Sequence, residues 1–180
     1  MTVGKMQQEL AATGLQIEAQ DRFSVLGMWE KLSNEQRNII GASNISTMGK
    51  EIAELAKLEA CNGQVIHGDL GAWNMLDDGQ RITVIDWGEC REGDAYVDLA
   101  AAITSTVGAK NGRKEMAARA ETFLMAYEQI NGAVDKARLN GFVQLWLTRG
   151  ILATALYRPE AEGALRAMEE QRRMWKEILR

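Results

Sequence analysis

Apolar positions along the chain fall first at helical spacing, then at strand spacing, then at helical spacing again. Met48, Ile52, Leu55 and Leu58 recur at intervals of four and three, which puts them on one face of a helix. Asn62-Gly63 follows as a stop, because glycine accepts the left-handed geometry of a helix end. Further upstream, residues 5–12 fit a short helix ended by Thr13-Gly14, and Ser33 with Gln36 fits a capping box opening a helix toward Ile40. The period then changes. Val65-Ile66 and Met75-Leu76 read as short extended pieces, Asp78-Gly79 as a hairpin turn, and Ile82-Thr83-Val84-Ile85 as a β-branched strand.

After Asp94 the helical period returns. Residues 95–107 form one helix ending near Gly108. Residues 113–130 carry Ala120, Phe123, Tyr127 and Ile130 on one face and end at Asn131-Gly132. Residues 135–157 carry Leu139, Phe142, Val143, Trp146 and Leu156 until Pro159 stops them. A last helix carries Leu165, Met168, Trp175 and Leu179, and its cations Arg172, Arg173 and Lys176 read as a solvated face. The expected fold class is therefore mainly α with a small β-hairpin segment, that is α+β. It is one domain over 1–180, with helical segments at 1–63 and 100–180 flanking the hairpin segment at 64–99.

Composition narrows the function. The formal net charge of −4 argues against nucleic acid as a partner and tolerates a neutral or cationic small molecule. No apolar run reaches the length of a membrane span, and MTVGKMQQEL has no signal-peptide core. Cys61 and Cys90 form no metal-ligand array. Both are expected to be reduced thiols in a cytoplasmic protein without a membrane partner.

One stretch names a chemistry. Asp69 and Asn74 lie in one loop, and Asp86 follows after the turn and the apolar strand. Register reasoning puts Asn74 and Asp86 on adjacent antiparallel strands. An acid, an amide and a second acid so placed suit metal-dependent phosphoryl transfer: one carboxylate orients and deprotonates a hydroxyl, and the other two side chains hold Mg²⁺ against a triphosphate. The segments H-G-D-x-x-x-x-N from His67, I-D-W from Ile85 and G-D-x-x-x-D-L-A from Gly93 stand in this order. Together they resemble the catalytic and metal loops of the aminoglycoside phosphotransferase and choline kinase family, distant relatives of protein kinases.

The resemblance implies roles. Asp69 matches the catalytic aspartate; Asn74 and Asp86 match the metal ligands. Leu76 and Ile85 match the apolar floor beneath the nucleotide base, with plain core packing as the other reading. His67, the only histidine, matches a structural residue steadying the catalytic loop. Asp94 and Asp98 match residues that hold the loop, although Asp94 reads equally as a helix cap. The implied reaction transfers the γ-phosphoryl of ATP or GTP, with Mg²⁺, to a hydroxyl of a small molecule: an aminoglycoside or other antibiotic, a sugar, choline or an amino alcohol. Glu89 and Glu92 lie where the family builds its acceptor pocket.

The chain also departs from the family. Gly71-Ala72-Trp73 stands where His-Pro or Tyr-Pro is common, and Trp73 is expected to pack within the lobe. Nothing upstream of His67 reads as the small β-rich N-lobe that grips the nucleotide. Gly49-Lys50 is not a phosphate loop, since Asn44 and Glu51 occupy the places of its first glycine and its hydroxyl residue. The expectation is thus the C-terminal large lobe of a protein-kinase-like fold without its N-lobe. The rival is a non-catalytic remnant, a binding module, or half of a split kinase that self-associates or pairs with a separate N-lobe chain.

Overall fold

The computed structural model describes residues 3–15, 17, 23–40, 45–59, 63–108 and 112–180. Eight helices are described: α1 Val3–Ala12, α2 Val25–Lys31, α3 Asn34–Ile39, α4 Ile45–Glu59, α5 Ala95–Thr106, α6 Arg113–Asn131, α7 Lys136–Tyr157 and α8 Glu162–Ile178. Four short strands, β1 Gln64–Ile66, β2 Met75–Asp77, β3 Ile82–Val84 and β4 Arg91–Gly93, lie between α4 and α5. Among the described residues no helix is long and apolar enough to cross a membrane. Two compact units are present, and one of the three breaks between them falls within α7. One comprises Met1–Gln20 and Cys61–Leu139; the other comprises Asp21–Ala60 and Asn140–Arg180.

The unit with the strands is built around α5. Leu99, Ala100, Ala101, Ala102 and Ile103 are wholly buried, so this helix is enclosed on every side. Its alanines let neighbouring backbone come close. Val65, Ile66 and Leu70 from the strand segment and Met116, Ala120 and Leu124 from α6 are buried in the same unit. Gln7 ties α1 into it: its amide nitrogen donates to the Ala95 carbonyl at 2.8 Å, and its oxygen accepts from the Tyr127 hydroxyl at 2.5 Å. Burial pushes the Tyr127 hydroxyl up to about 12, with Tyr96, Asp98 and Asp94 adding to the effect.

The hairpin expected is present, and a second antiparallel pair accompanies it. β2 pairs with β3, Met75 opposite Val84 and Asp77 opposite Ile82, as the turn signal required. At that turn Gly79 has φ 83°, and the Asp78 carboxylate accepts from the Gln80 and Arg81 amides. Those two amides hold the Asp78 carboxyl below its ordinary value. β1 pairs instead with β4, Ile66 opposite Arg91 and Gln64 opposite Gly93, a partner that no periodicity announced.

Among the described residues of the other unit the regular elements are all helices. The capping box at α3 is complete: Ser33 Oγ accepts from the Gln36 amide, and the Gln36 side chain accepts from the Ser33 amide. Ile52 and Leu55 of α4 are buried with Val25, Met28, Phe142, Ile151 and Trp175. α4 ends at Glu59; Cys61 and Asn62 lie outside the described residues. The Glu59 carboxylate accepts from the Val25 amide at 3.0 Å, and Arg149 lies 4.0 Å away.

The solvated face expected on the last helix holds only in part. Arg173 is exposed, but Arg172 is 6% exposed and pairs with Glu51 of α4. Its position explains this, since 172 falls on the same helical stripe as Leu165, Met168, Trp175 and Leu179. Burial pushes the Glu51 carboxyl up, but Arg172 and Lys176 outweigh it and hold the group below its ordinary value.

Candidate functional site

The loop between β1 and β2 takes its shape from α5. Asp98, wholly buried in the first turn of α5, accepts from the His67 amide at 2.8 Å and from the Gly68 amide at 2.9 Å. Two turns later on the same face, Ser105 Oγ accepts from the Ala72 amide at 2.9 Å. One helix thus clamps both ends of the segment that carries Asp69. Burial pushes the Asp98 carboxyl up, while the two amides and the nearby Arg91 guanidinium act in the opposite direction.

Gly68 is dictated by conformation and by space. Its φ is +82°, and a Cβ there would lie 2.1 Å from Arg91 Nη1 and 2.2 Å from the Glu89 carbonyl oxygen. The glycine therefore lets the loop pass against the segment after Asp86. Arg91 is buried and donates to Glu89 O at 3.0 Å.

Asp69 and Asn74 are in direct contact. Asn74 Nδ2 donates to the Asp69 carbonyl oxygen at 2.8 Å and to Asp69 Oδ2 at 3.1 Å. Both partners are acceptors, so the amide nitrogen must face Asp69 and the amide oxygen must face away. Trp73 Nε1 donates to the same Oδ2 at 3.3 Å.

His67 bridges this loop to the next. Its Nδ1 accepts from the Asp69 amide at 3.3 Å, which leaves the proton on Nε2, 2.9 Å from the Ile85 carbonyl oxygen. The ring also lies against Trp87, with centroids 4.7 Å apart. Asp86 comes directly after the anchored Ile85. It is the one described non-glycine residue with positive φ, at φ 57° and ψ 67°. Simple alternation from Asn74, whose carbonyl accepts from the Ile85 amide at 3.0 Å, would send Asp86 to the opposite face of the hairpin. The left-handed backbone breaks that alternation. Asp86 Oδ1 accepts from the Gly88 amide, and the residue is exposed.

The remaining sequence-predicted residues are more scattered. Leu76 and Ile85 fall on one face of the β2–β3 hairpin and are 55% and 37% exposed, so core packing does not explain them. Trp73, expected within the lobe, is 59% exposed: its ring lies against Gly71, where its N–H reaches Asp69 Oδ2. Asp94 caps α5 through the Tyr96 amide and pairs with Arg138, whose guanidinium stacks on Tyr96. It touches neither Asp69 nor Asn74 through any hydrogen bond of the described residues. Ser105 and Arg91 went unread, and Trp87 was read only as the last letter of I-D-W; Ser105 left a signal in its seven-residue spacing from Asp98. Burial pushes the Cys90 thiol up, and Asp98 adds to it, so this cysteine is no ready nucleophile.

Residues 6–142 match the model of the phosphotransferase enzyme family. Among solved structures, amicoumacin kinase hAmiN in complex with AMP-PNP, Ca²⁺ and Ami superposes with a TM-score of 0.64 at 17% identity, over 98% of this chain and 56% of that one. Choline kinase LicA from Streptococcus pneumoniae gives 0.58 at 20% identity, over 98% and 61%. LicA in complex with AMP gives 0.59 at 19%, over 99% and 60%. The chain thus spans less than two thirds of each of these chains. It shares their fold there, a mainly helical α+β large lobe of the protein-kinase-like kind. No curated protein matches the chain in sequence.

Proposed function

The chain belongs to the phosphotransferase enzyme family, and from that premise we propose that it forms the acceptor-side lobe of a small-molecule kinase. The reaction is transfer of the γ-phosphoryl of ATP or GTP to a hydroxyl. The observation that carries this reading is the Asp69–Asn74 contact, joined through His67 to the backbone just before Asp86. Asp69 has one carboxylate oxygen engaged by two donors; Oδ1 accepts no hydrogen bond from the described residues. That oxygen is free to take the proton of an acceptor hydroxyl.

The donors around Asn74 and Asp86 fit a magnesium ion. The Asn74 amide oxygen is turned away from Asp69, and Asp86 commits Oδ1 to the Gly88 amide, leaving its second oxygen. Both are hard oxygen donors, and magnesium keeps water and phosphate oxygens for the rest of its shell. When bound, the ion neutralises charge on the transferring phosphoryl group. Leu76 and Ile85, exposed on one face beside these ligands, supply the surface for the nucleotide base.

Trp73, Leu76, Ile85 and Trp87 are large apolar side chains left exposed within one fifteen-residue segment, which favours cover by further polypeptide. We assign that cover to a nucleotide-gripping small lobe, joined to this chain or supplied as a separate one. The rival is a binding module without turnover. The experiment is phosphoryl transfer from γ-labelled ATP and GTP to a panel of hydroxyl acceptors, with the small lobe present. Transfer that vanishes in Asp69→Asn supports the kinase. Nucleotide binding with no transfer to any acceptor supports the module.

A further inference from the structure

Gly71 has ordinary extended backbone, φ −80° and ψ 162°, which any residue adopts. It is glycine for another reason. A Cβ at 71 would lie 2.2 Å from Trp73 Cζ2, 2.3 Å from Cε2 and 2.6 Å from Cη2. The indole lies flat over the glycine, and in this pose its N–H reaches Asp69 Oδ2 at 3.3 Å. An exposed tryptophan gains little from burial at such a position. The polar contact it makes from this seat is with the Asp69 carboxylate.

We propose that Trp73, seated on Gly71, is a positioning residue that fixes the Asp69 carboxylate in the rotamer presenting Oδ1 to the acceptor hydroxyl. This deepens, and rests on, the assignment of Asp69 as proton acceptor. Asn74 and Trp73 both donate to Oδ2, one from within the loop and one from above it. With both present the carboxylate has one orientation. With Trp73 removed, Asn74 still contacts Oδ2, but rotation of the group is unopposed on the solvent side. Misplacement of a reacting group by about 1 Å is enough to cost orders of magnitude in rate, so a second donor has value even when the first remains.

The test has two arms. The first needs no turnover. In the ¹⁵N spectrum the chain's 5 tryptophans give indole N–H resonances. Trp73→Phe identifies the one from Trp73. Asp69→Ala should move that resonance upfield, because it loses a carboxylate acceptor, and Gly71→Ala should move it because the added methyl displaces the ring. An unmoved Trp73 resonance in Asp69→Ala overturns the proposal. The second arm measures transfer with the small lobe present. Trp73→Phe, which keeps a ring but no donor, should lower kcat about tenfold and leave the nucleotide KM unchanged. Gly71→Ala should do the same, and the double variant should lose no more than either single one. Additive losses, or an unchanged kcat in Trp73→Phe, overturn it as well. A chain with no phosphotransferase activity fails only the second arm, so the failure of the kinase reading is told apart from that of the Trp73 contact.

Discussion

The imidazole Nε2 of His67 lies 2.9 Å from the carbonyl oxygen of Ile85, so the loop bearing Asp69 and the turn bearing Asp86 share one hydrogen bond. The same ring accepts from the Asp69 amide on its other side. His67 is thus a spacer whose two nitrogens meet one donor and one acceptor of the backbone. His67→Ala should lose about 1–3 kcal/mol of stability, the range for leaving such groups unpaired in a buried place, measured by urea unfolding. An unchanged midpoint would show that water replaces the ring without loss.

The two aspartates should differ in kind. With the small lobe present, Asp69→Asn should lower turnover about 10²–10⁴-fold while nucleotide affinity stays nearly the same, because it acts on the hydroxyl. Asp86→Asn should weaken metal-dependent nucleotide binding as well as turnover, because it removes the anionic ligand. Affinity and transfer rate measured on both variants decide the assignment, and identical behaviour would refute it.

Nucleotide affinity of the chain by itself should be weak. The contacts proposed for it are Leu76, Ile85, Asn74 and Asp86, and such a partial site should bind Mg-ATP with a Kd on the order of 1 mM or above. Calorimetry of the chain with and without a small lobe in trans measures the difference. Micromolar binding by the chain alone would reveal a grip other than these residues.

Asp98 and Ser105 should separate in size. Asp98→Ala leaves the His67 and Gly68 amides without their acceptor and should cost about 2–4 kcal/mol. Ser105→Ala frees only the Ala72 amide, in an exposed place, and should cost about 1 kcal/mol or less. Chemical unfolding of both variants tests the order.

Glu51 should make the helical unit sensitive to acid. Its folded-state value is held below the ordinary 4.5 by Arg172 and Lys176. The stabilisation is therefore complete above that ordinary value and is lost as pH falls through the lower, folded-state one. Glu51→Gln should lower stability at neutral pH by on the order of 1 kcal/mol and flatten the fall in the acid range below that ordinary value. A thermal unfolding series across that range in both proteins gives the comparison, and parallel curves would rule Glu51 out.

What could be read from the sequence was local. The Ser33–Gln36 box, the stripe of α4 and the turn at Asp78-Gly79 are each written within a few residues, and each is present. Pairings across long separations were not readable. β4 carries Arg91 and Glu92 with no alternation of its own and is a strand because β1 lies beside it. Arg172 shows a different failure. Its periodicity placed it on the apolar stripe, but its charge suggested solvent, and only the carboxylate of Glu51, on another helix, reconciles the two. At the candidate site the spacing told which residue types stand together. It did not tell that Trp73 lies across Gly71, because that depends on where a ring settles in space.

The backbone at Asp86 sets folding and chemistry against each other at one position. A left-handed residue with a side chain is disfavoured by on the order of 1 kcal/mol relative to glycine. Mutants of this chain sorted only for folded yield should therefore accumulate Asp86→Gly, and those sorted for phosphoryl transfer should reject it. Val or Ile there should be purged by both sorts, being strained and without a ligand atom. On the metal-ligand role proposed for it, an aspartate at this left-handed position marks a place at which the fold gives way to the reaction.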